Sequence, residues 1–284
     1  MAYTEEQLIA FTKPLSDTED QKAQNSINMV QSAIDNYDWN VVGLQKPEVR
    51  LKGSYHNDTN VKLDSDVDTY VLFAGYTYKV CTNSQSISPY HMGTGQPWGY
   101  FKDRLHEALK NKFGTDVHRG NKSFKIQENS YKHQTDVVCA FSAIDDRGEK
   151  NNCGICLFPD DDTGVIINYP EQDTERGKEK NFWTDHYYKK IVRIFKAIKN
   201  DVGLSTPSYL IECLISNVDN HLIADNSKRY KDKLTEIIDF LLRFLYVSPG
   251  SFYEVNQVKP LFHEKQKWTV DEAVDFLHVV KEVL

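Results

Sequence analysis

The chain has 284 residues, of which 40% are hydrophobic and 26% are charged, as in globular proteins, so a wholly disordered chain is excluded. No run approaches the roughly 18 apolar residues of a membrane span and no secretory leader is evident, so we expect a cytoplasmic protein without a membrane partner. The formal net charge of −7 argues against a long nucleic acid as partner.

The N-terminal half mixes helical and strand patterns. Ser16-Asp17-Thr18-Glu19 is typical of a capping box, and the apolar residues after it recur at helical spacing, which predicts a helix from about 17 to 37. In chain order, the later predictions are a short strand from 49, a polar turn at 53–60, a strand at 66–73, a helix at 98–113, strands at 122–127 and 134–141, and loops with one hairpin over 142–164.

The pattern beyond about 184 is helical throughout. The predicted helices are 185–200, 207–218, 227–247 and 270–284, with Pro207 in the first helical position and a second capping box at 269–272. The fold class is therefore α+β. We expect an N-terminal lobe with a mixed sheet at 1–165, which includes the N-terminal bracing helix, and a helical lobe at 166–284.

Two aspartates, Asp66 and Asp68, open the strand predicted at 66–73. Residues two apart on a strand project from the same face, so both carboxylates point together. Such a pair alone is more often a solvated strand end. Asp136 is the candidate third acid, because it precedes a strand that can pair beside the first one. The three are the predicted catalytic residues and the ligands of two Mg²⁺ ions, for which Mn²⁺ can substitute.

The polar turn before these acids contains Gly53-Ser54. Glycine lets the backbone approach a phosphate closely, and the serine hydroxyl and the amides donate hydrogen bonds to it. A Gly-Ser pair by itself is usually a simple turn. Followed by a polar stretch and Ser-Asp-x-Asp it is far more specific, and it predicts that Gly53 and Ser54 bind nucleotide phosphates.

A basic segment follows at 176–199, where eight lysines and arginines stand against two acids. Lys189, Arg193 and Lys196 lie at i, i+4 and i+7 on one predicted helix, a stripe that is usually only solvated. A local charge of this sign suits a small anion such as a triphosphate.

Ser208 lies in the first turn of the next predicted helix, where free backbone amides favour an anion. We expect Lys196 and Ser208 to form a second clamp on the triphosphate. Tyr209 is placed to stack on a base, and its alternative role is core packing.

These motifs together resemble the cGAS/DncV-like nucleotidyltransferases, which make cyclic oligonucleotide signals in bacterial antiphage defence. The resemblance covers most of the chain and is carried by residues 53–61, 65–68, 135–138, 188–196 and 206–212. It implies a polymerase-β-like catalytic lobe, with the active site in the cleft between that lobe and the helical lobe.

Within the family, Asn168-Tyr169-Pro170 and residues 177–181 resemble the clade E branch, which tends to use pyrimidine nucleotides. The resemblance implies that Asn168 lies over a bound base and favours uracil, because an amide can pair with both the carbonyl and the ring N–H. An asparagine in a loop turn is the alternative.

The resemblance further implies a synthase that joins UTP and ATP, or two UTP molecules, into cyclic UMP-AMP or cyclic di-UMP. A 3′- or 2′-hydroxyl of one nucleotide attacks the α-phosphorus of another, pyrophosphate leaves, and a second round closes the ring. Asp136 is the candidate acceptor of the hydroxyl proton. The implied partners are nucleoside triphosphates and an effector that binds the cyclic product, and we expect a monomer.

Two other functions fit the same residues less well. A template-independent polymerase, or a nucleotidyltransferase that modifies RNA or protein, needs a basic path for its long acceptor, and this chain has one short basic segment. A catalytically silent nucleotide-binding module has no need of the three acids, all of which are present.

Overall fold

The computed structural model describes residues 2–61, 66–81, 86–91, 97–145 and 153–284. The chain forms two compact units, each assembled from separate stretches. We call the unit of residues 16–56 and 65–171 the sheet unit, and the unit of residues 1–15, 57–64 and 172–284 the helical unit. The single boundary predicted after residue 165 differs from this division, which also assigns 1–15 and 57–64 to the helical unit.

The strands in chain order are β1 (Glu48–Lys52), β2 (Val67–Cys81), β3 (Ser86–His91), β4 (Val117–Arg119), β5 (Phe124–Ile126), β6 (Thr135–Asp145), β7 (Cys153–Leu157) and β8 (Ile166–Asn168). They form one mixed sheet in the order β1-β2-β6-β5-β4, with β3 paired to β2, β7 to β6 and β8 to β7. The central pair β2 and β6 is parallel, and the other pairs are antiparallel.

The helices in chain order are α1 (Glu5–Phe11), α2 (Asp17–Asp35), α3 (Gly53–Asn57), α4 (Trp98–Phe113), α5 (Pro170–Trp183), α6 (Tyr188–Asp201), α7 (Ser208–Ser216), α8 (Asn220–Ala224), α9 (Tyr230–Val247) and α10 (Val270–Val283). Among the described residues, no helix is both long enough and apolar enough to cross a membrane.

Strands β2 and β6 are buried on both faces because alternate residues enter different clusters. Val71 and Phe73 belong to the larger cluster, to which α2 and α4 also contribute. Tyr70 and Leu72 belong to a smaller cluster on the opposite face, with Val138. The same alternation places Asp68 and Asp136 on the face of the smaller cluster.

The predicted helices of the sheet unit are confirmed. α2 begins after the Ser16 N-cap, whose Oγ accepts a hydrogen bond from the Glu19 amide. α4 has the predicted bounds, with Phe101 and Leu105 buried on one face. Two predictions are wrong in detail. The polar turn begins with the short helix α3, and the segment 142–164 contains more strand than expected, namely the end of β6 and the whole of β7. These two strands pair antiparallel, as the predicted hairpin requires.

The helical unit has its own core, formed by side chains of α1, α6, α7, α9 and α10. Four of its helices match the predictions closely, and the capping box at Thr269 is present. α5 was not predicted because its 14 residues contain few apolar side chains and therefore no amphipathic period. The α+β class is confirmed.

Candidate active site

The predicted acids lie at the start of the central parallel strand pair. Asp68 of β2 and Asp136 of β6 are direct register partners, so their side chains leave the sheet on one face. Asp66 immediately precedes β2, and its Oδ2 accepts a hydrogen bond of 2.9 Å from Gln134 Nε2. The expectation that the strand of Asp136 pairs beside the strand of Asp68 is confirmed.

The environment of Asp136 is buried and close to another carboxylate. Burial raises the pKa of its carboxyl group, the Asp68 carboxylate raises it further, and Lys125 opposes the shift. Within the described part of the chain, Asp136 Oδ1 is buried without a hydrogen-bond partner. Lys52 Nζ lies 3.6 Å from Asp68 Oδ1, and its positive charge partly offsets the negative charge of that carboxylate.

Gly53 brings the glycine-serine turn against these acids. Its φ of +73° lies in the left-handed region, and an added Cβ would fall 2.5 Å from Asp68 Oδ2 and 3.1 Å from Asp68 Cβ. Only glycine accommodates both the dihedral angle and this approach. The backbone at Gly53 is therefore in direct contact with the carboxylate, and Ser54 follows in the first turn of α3.

The donor set of this site fits a hard divalent cation. Carboxylate oxygens are the ligands that Mg²⁺ prefers, and two like-charged carboxylates with one unpartnered buried oxygen favour a bound cation. In the described residues, no three acidic, histidine or cysteine side chains are already gathered as a metal site. The fit therefore rests on Asp68 and Asp136, with Asp66 one residue before β2.

Asn168 is the last residue of β8, where it pairs with Ile155 of β7. The backbone packs tightly at this point, because a Cβ added to Gly154 would lie 2.6 Å from the Asn168 carbonyl oxygen and 2.9 Å from the Tyr169 ring. Asn168 is partly exposed. It is therefore a strand-end residue, not a residue of a loop turn.

The predicted clamp of Lys196 with Ser208, both of the helical unit, needs correction. Lys196 is 0% exposed, and its Nζ lies 2.5 Å from Glu212 Oε1 and 3.1 Å from the Thr59 carbonyl oxygen. The basic stripe on α6 is thus not solvated. Lys196 is enclosed by a carboxylate and a backbone acceptor, because burying an ammonium group requires such partners.

Ser208 is instead paired with Lys199, one turn further along α6. Lys199 Nζ donates a 3.0 Å hydrogen bond to Ser208 Oγ, and Lys199 is 8% exposed. Sequence reasoning missed this lysine, although its i+3 spacing from Lys196 was a usable signal. Asp173 and Lys52 were missed as well, because neither belongs to a motif.

Tyr209 follows Ser208 on α7 and is partly exposed. Its hydroxyl donates a 2.7 Å hydrogen bond to Asp173 Oδ1 of α5. The ring lies 6.2 Å from the Trp268 ring, centroid to centroid, at an interplanar angle of 56°. The phenol is therefore fixed at its polar end, and its side chain packs against the core of the helical unit.

Comparison with known proteins adds independent information. Residues 175–284 match the cGAS/DncV-like nucleotidyltransferase C-terminal helical domain. The cyclic dipyrimidine nucleotide synthase CdnE of Legionella pneumophila is 34% identical over 94% of this chain and 93% of that protein. Its counterpart in Cecembia lonarensis is 32% identical, over 97% of this chain and 96% of that protein.

A solved structure has the same fold over nearly the whole chain. It is that of the Rhodothermus marinus CdnE c-UMP-AMP synthase with the nucleotide analogues Apcpp and Upnpp. The TM-score is 0.82 at 26% identity, and the match covers 99% of this chain and 96% of that one.

Proposed function

Because the chain belongs to the cGAS/DncV-like nucleotidyltransferases, in their clade E branch, and is thus a cyclic dinucleotide synthase, we propose that its product contains uridine. The substrates are UTP with ATP, or UTP alone, and the product is cyclic UMP-AMP or cyclic di-UMP. The signal serves antiphage defence by binding an effector protein.

One observation supports this function above the others. Asp68 and Asp136 are register partners on the parallel strands β2 and β6, with the backbone of Gly53 against the Asp68 carboxylate. This arrangement puts a phosphate-binding turn beside a pair of like-charged carboxylates. Phosphoryl transfer needs both, because the protein mainly positions in-line groups and offsets charge.

In each transfer, a ribose hydroxyl oxygen forms a bond to the α-phosphorus of a second nucleotide, and the bond from that phosphorus to the leaving pyrophosphate breaks. Asp136 Oδ1 receives the hydroxyl proton, because this buried oxygen has no hydrogen-bond partner in the described chain. The amide of Gly53 and the hydroxyl of Ser54 hold phosphate oxygens in place.

Asp66, Asp68 and Asp136 would hold two Mg²⁺ ions, for which Mn²⁺ can substitute. When bound, these cations neutralise charge on the triphosphate and activate the attacking hydroxyl. Ser208 with Lys199 binds phosphate in the helical unit, in place of the predicted pair of Ser208 with Lys196.

Two residues recognise the bases in this proposal. Asn168 favours uracil, because its amide both donates and accepts a hydrogen bond. Tyr209 stacks on a base.

Product identification tests the proposal. The full chain is incubated with the four ribonucleoside triphosphates and Mg²⁺, treated with phosphatase and analysed by mass spectrometry. We expect a phosphatase-resistant cyclic product that contains uridine. A linear ladder of growing length would identify a polymerase instead, and a product made only of purines would refute the role of Asn168.

The acids are tested by changing Asp66→Ala and Asp68→Ala together. We expect no product and an unchanged melting temperature without metal. Glu128→Ala, an exposed carboxylate of the same unit, is the control and keeps full activity. Full activity in the double variant would contradict the assignment of Asp66 and Asp68 as metal ligands.

A further inference from the structure

The hydroxyl of Tyr209 lies inside a polar cluster of the helical unit that the proposed chemistry does not use. Asp173 Oδ1 accepts from Tyr209 at 2.7 Å and from Asn256 Nδ2 at 3.0 Å. The Asn256 amide also donates to Glu254 Oε2 at 2.9 Å and to the Tyr209 oxygen at 3.3 Å. We call these four residues the Tyr209 cluster.

The cluster is built from separate parts of the chain. Asp173 comes from α5, Tyr209 from α7, and the other two from the segment after α9. Glu254 and Asn256 are buried, and Glu254 Oε1 accepts a further hydrogen bond of 2.9 Å from Gln266. Two carboxylates this close need donors to offset their repulsion, and the tyrosine hydroxyl and the asparagine amide provide them.

A cluster of this kind restricts the phenol ring. The tyrosine ring can rotate about two torsions, and a hydrogen bond at its far end removes most of that freedom. A ring that is already fixed loses little conformational entropy when it stacks on a base. Desolvation raises the pKa of Asp173 to about 7, which agrees with a carboxyl group enclosed by the cluster.

We propose that Asp173 is a positioning residue for nucleotide binding, which holds the Tyr209 ring in its stacking orientation through the hydroxyl. This inference rests on the proposed stacking role of Tyr209. Asp173 does not touch the nucleotide. Its effect is therefore on the KM for nucleotide and not on kcat.

The test is a set of variants of the full chain assayed for KM and kcat with each nucleotide. Tyr209→Phe keeps the ring and removes the hydroxyl, and Asp173→Ala removes its acceptor. Each raises the KM about fivefold, the size expected for one net hydrogen bond, and leaves kcat unchanged. The double variant raises the KM by the same factor, because both changes remove one contact.

Asp173→Asn keeps an oxygen that accepts the Tyr209 hydrogen bond, so we expect its KM to stay near that of the unmodified protein. The matched control is Tyr3→Phe, which removes another tyrosine-aspartate bond of the same unit, from Tyr3 to Asp201 at 2.6 Å. It leaves the KM unchanged.

Tyr209→Ala separates the two proposals. Should it leave the KM for every nucleotide unchanged, the stacking role fails. Should it raise the KM while Tyr209→Phe and Asp173→Ala do not, stacking stands and the positioning role is overturned. An increase of about 25-fold in the KM of the double variant is the product of two independent effects of about fivefold, and it also overturns the positioning role. So does a fall in kcat and melting temperature with no change in KM, which indicates a purely structural role.

Discussion

The two units treat charged side chains in opposite ways. In the sheet unit, Asp68 and Asp136 stand side by side with the same charge, and one buried oxygen of Asp136 has no partner in the described chain. In the helical unit, Lys196 and Glu212 are buried as an opposite pair with their hydrogen bonds satisfied by neighbours such as Thr59.

The two arrangements therefore differ in electrostatic balance. A buried opposite pair with satisfied hydrogen bonds gains nothing from a further ion. Like charges held together raise each other's free energy until a cation joins them. Sequence patterns alone suggested a ligand-binding role for both Lys196 and the acids, and in the structure Lys196 lies in a buried ion pair with Glu212.

The largest expected effect is on stability, through the buried pair of Lys196 and Glu212. Lys196→Met leaves the Glu212 carboxylate buried without its ammonium partner. We expect this to lower the free energy of unfolding by about 3–5 kcal/mol, measured by urea denaturation.

The partner change gives the control. Glu212→Gln in the Lys196→Met background removes the unpaired charge while it keeps an acceptor for the Thr59 hydroxyl. We expect it to restore a large part of the lost stability. Equal stability of the single and double variants would contradict the assignment of Lys196 as a paired structural residue.

The next effect is on the acid site. Gly53→Ala places a methyl group 2.5 Å from Asp68 Oδ2, so the carboxylate or the turn must move. A displacement of this order lowers the rate of product formation about 100-fold.

Gly43→Ala is the matched control, because Gly43 has a φ of +71° and no atom within 4 Å of an added Cβ. Both variants carry the strain of the left-handed region, of about 1–2 kcal/mol, but only the first meets the carboxylate. Equal loss of activity in the two variants would mean that backbone strain, and not the contact with Asp68, is responsible.

A smaller effect concerns pH. The pKa of Asp173 is about 7 in the folded protein against 3.8 as reference, mainly because of desolvation, so between these values the folded state binds more protons than the unfolded state. Its contribution to stability is therefore largest below about pH 4 and is lost as the pH rises through 7. Asp173→Asn removes this dependence. Melting temperatures from pH 5 to 8 should fall less steeply in the variant, and parallel curves would disprove the shift.

The smallest effect is on an exposed pair of the helical unit. Arg176 and Glu179 form an ion pair of 2.8 Å on α5, with side chains 51% and 49% exposed. Arg176→Ala is expected to change the free energy of unfolding by less than about 0.5 kcal/mol in urea denaturation. A change as large as that of Lys196→Met would mean that exposure does not separate the two kinds of pair.

Local patterns predicted much of the acid site. Asp66 and Asp68 open one recognisable strand pattern, and Asp136 comes at the start of another. The acids therefore meet once the two strands pair. Helices with strong amphipathic periods, such as α4, were predicted with correct bounds. α5 was not, because it packs through small residues such as Thr174 and Gly177 and has no apolar stripe.

By itself, the sequence determined the spacing of the acids, the position of the glycine in the turn at 53–60 and the amphipathic faces of most helices, because these depend on neighbours within a few residues. Only the tertiary structure decided which charged groups are paired. Lys196 meets Glu212 from α7, Ser208 meets Lys199 instead, and Asp173 meets Tyr209 from 36 positions away. Such contacts follow from how whole helices pack, and burial then requires that each ammonium, carboxylate or hydroxyl finds a partner wherever the packing places it.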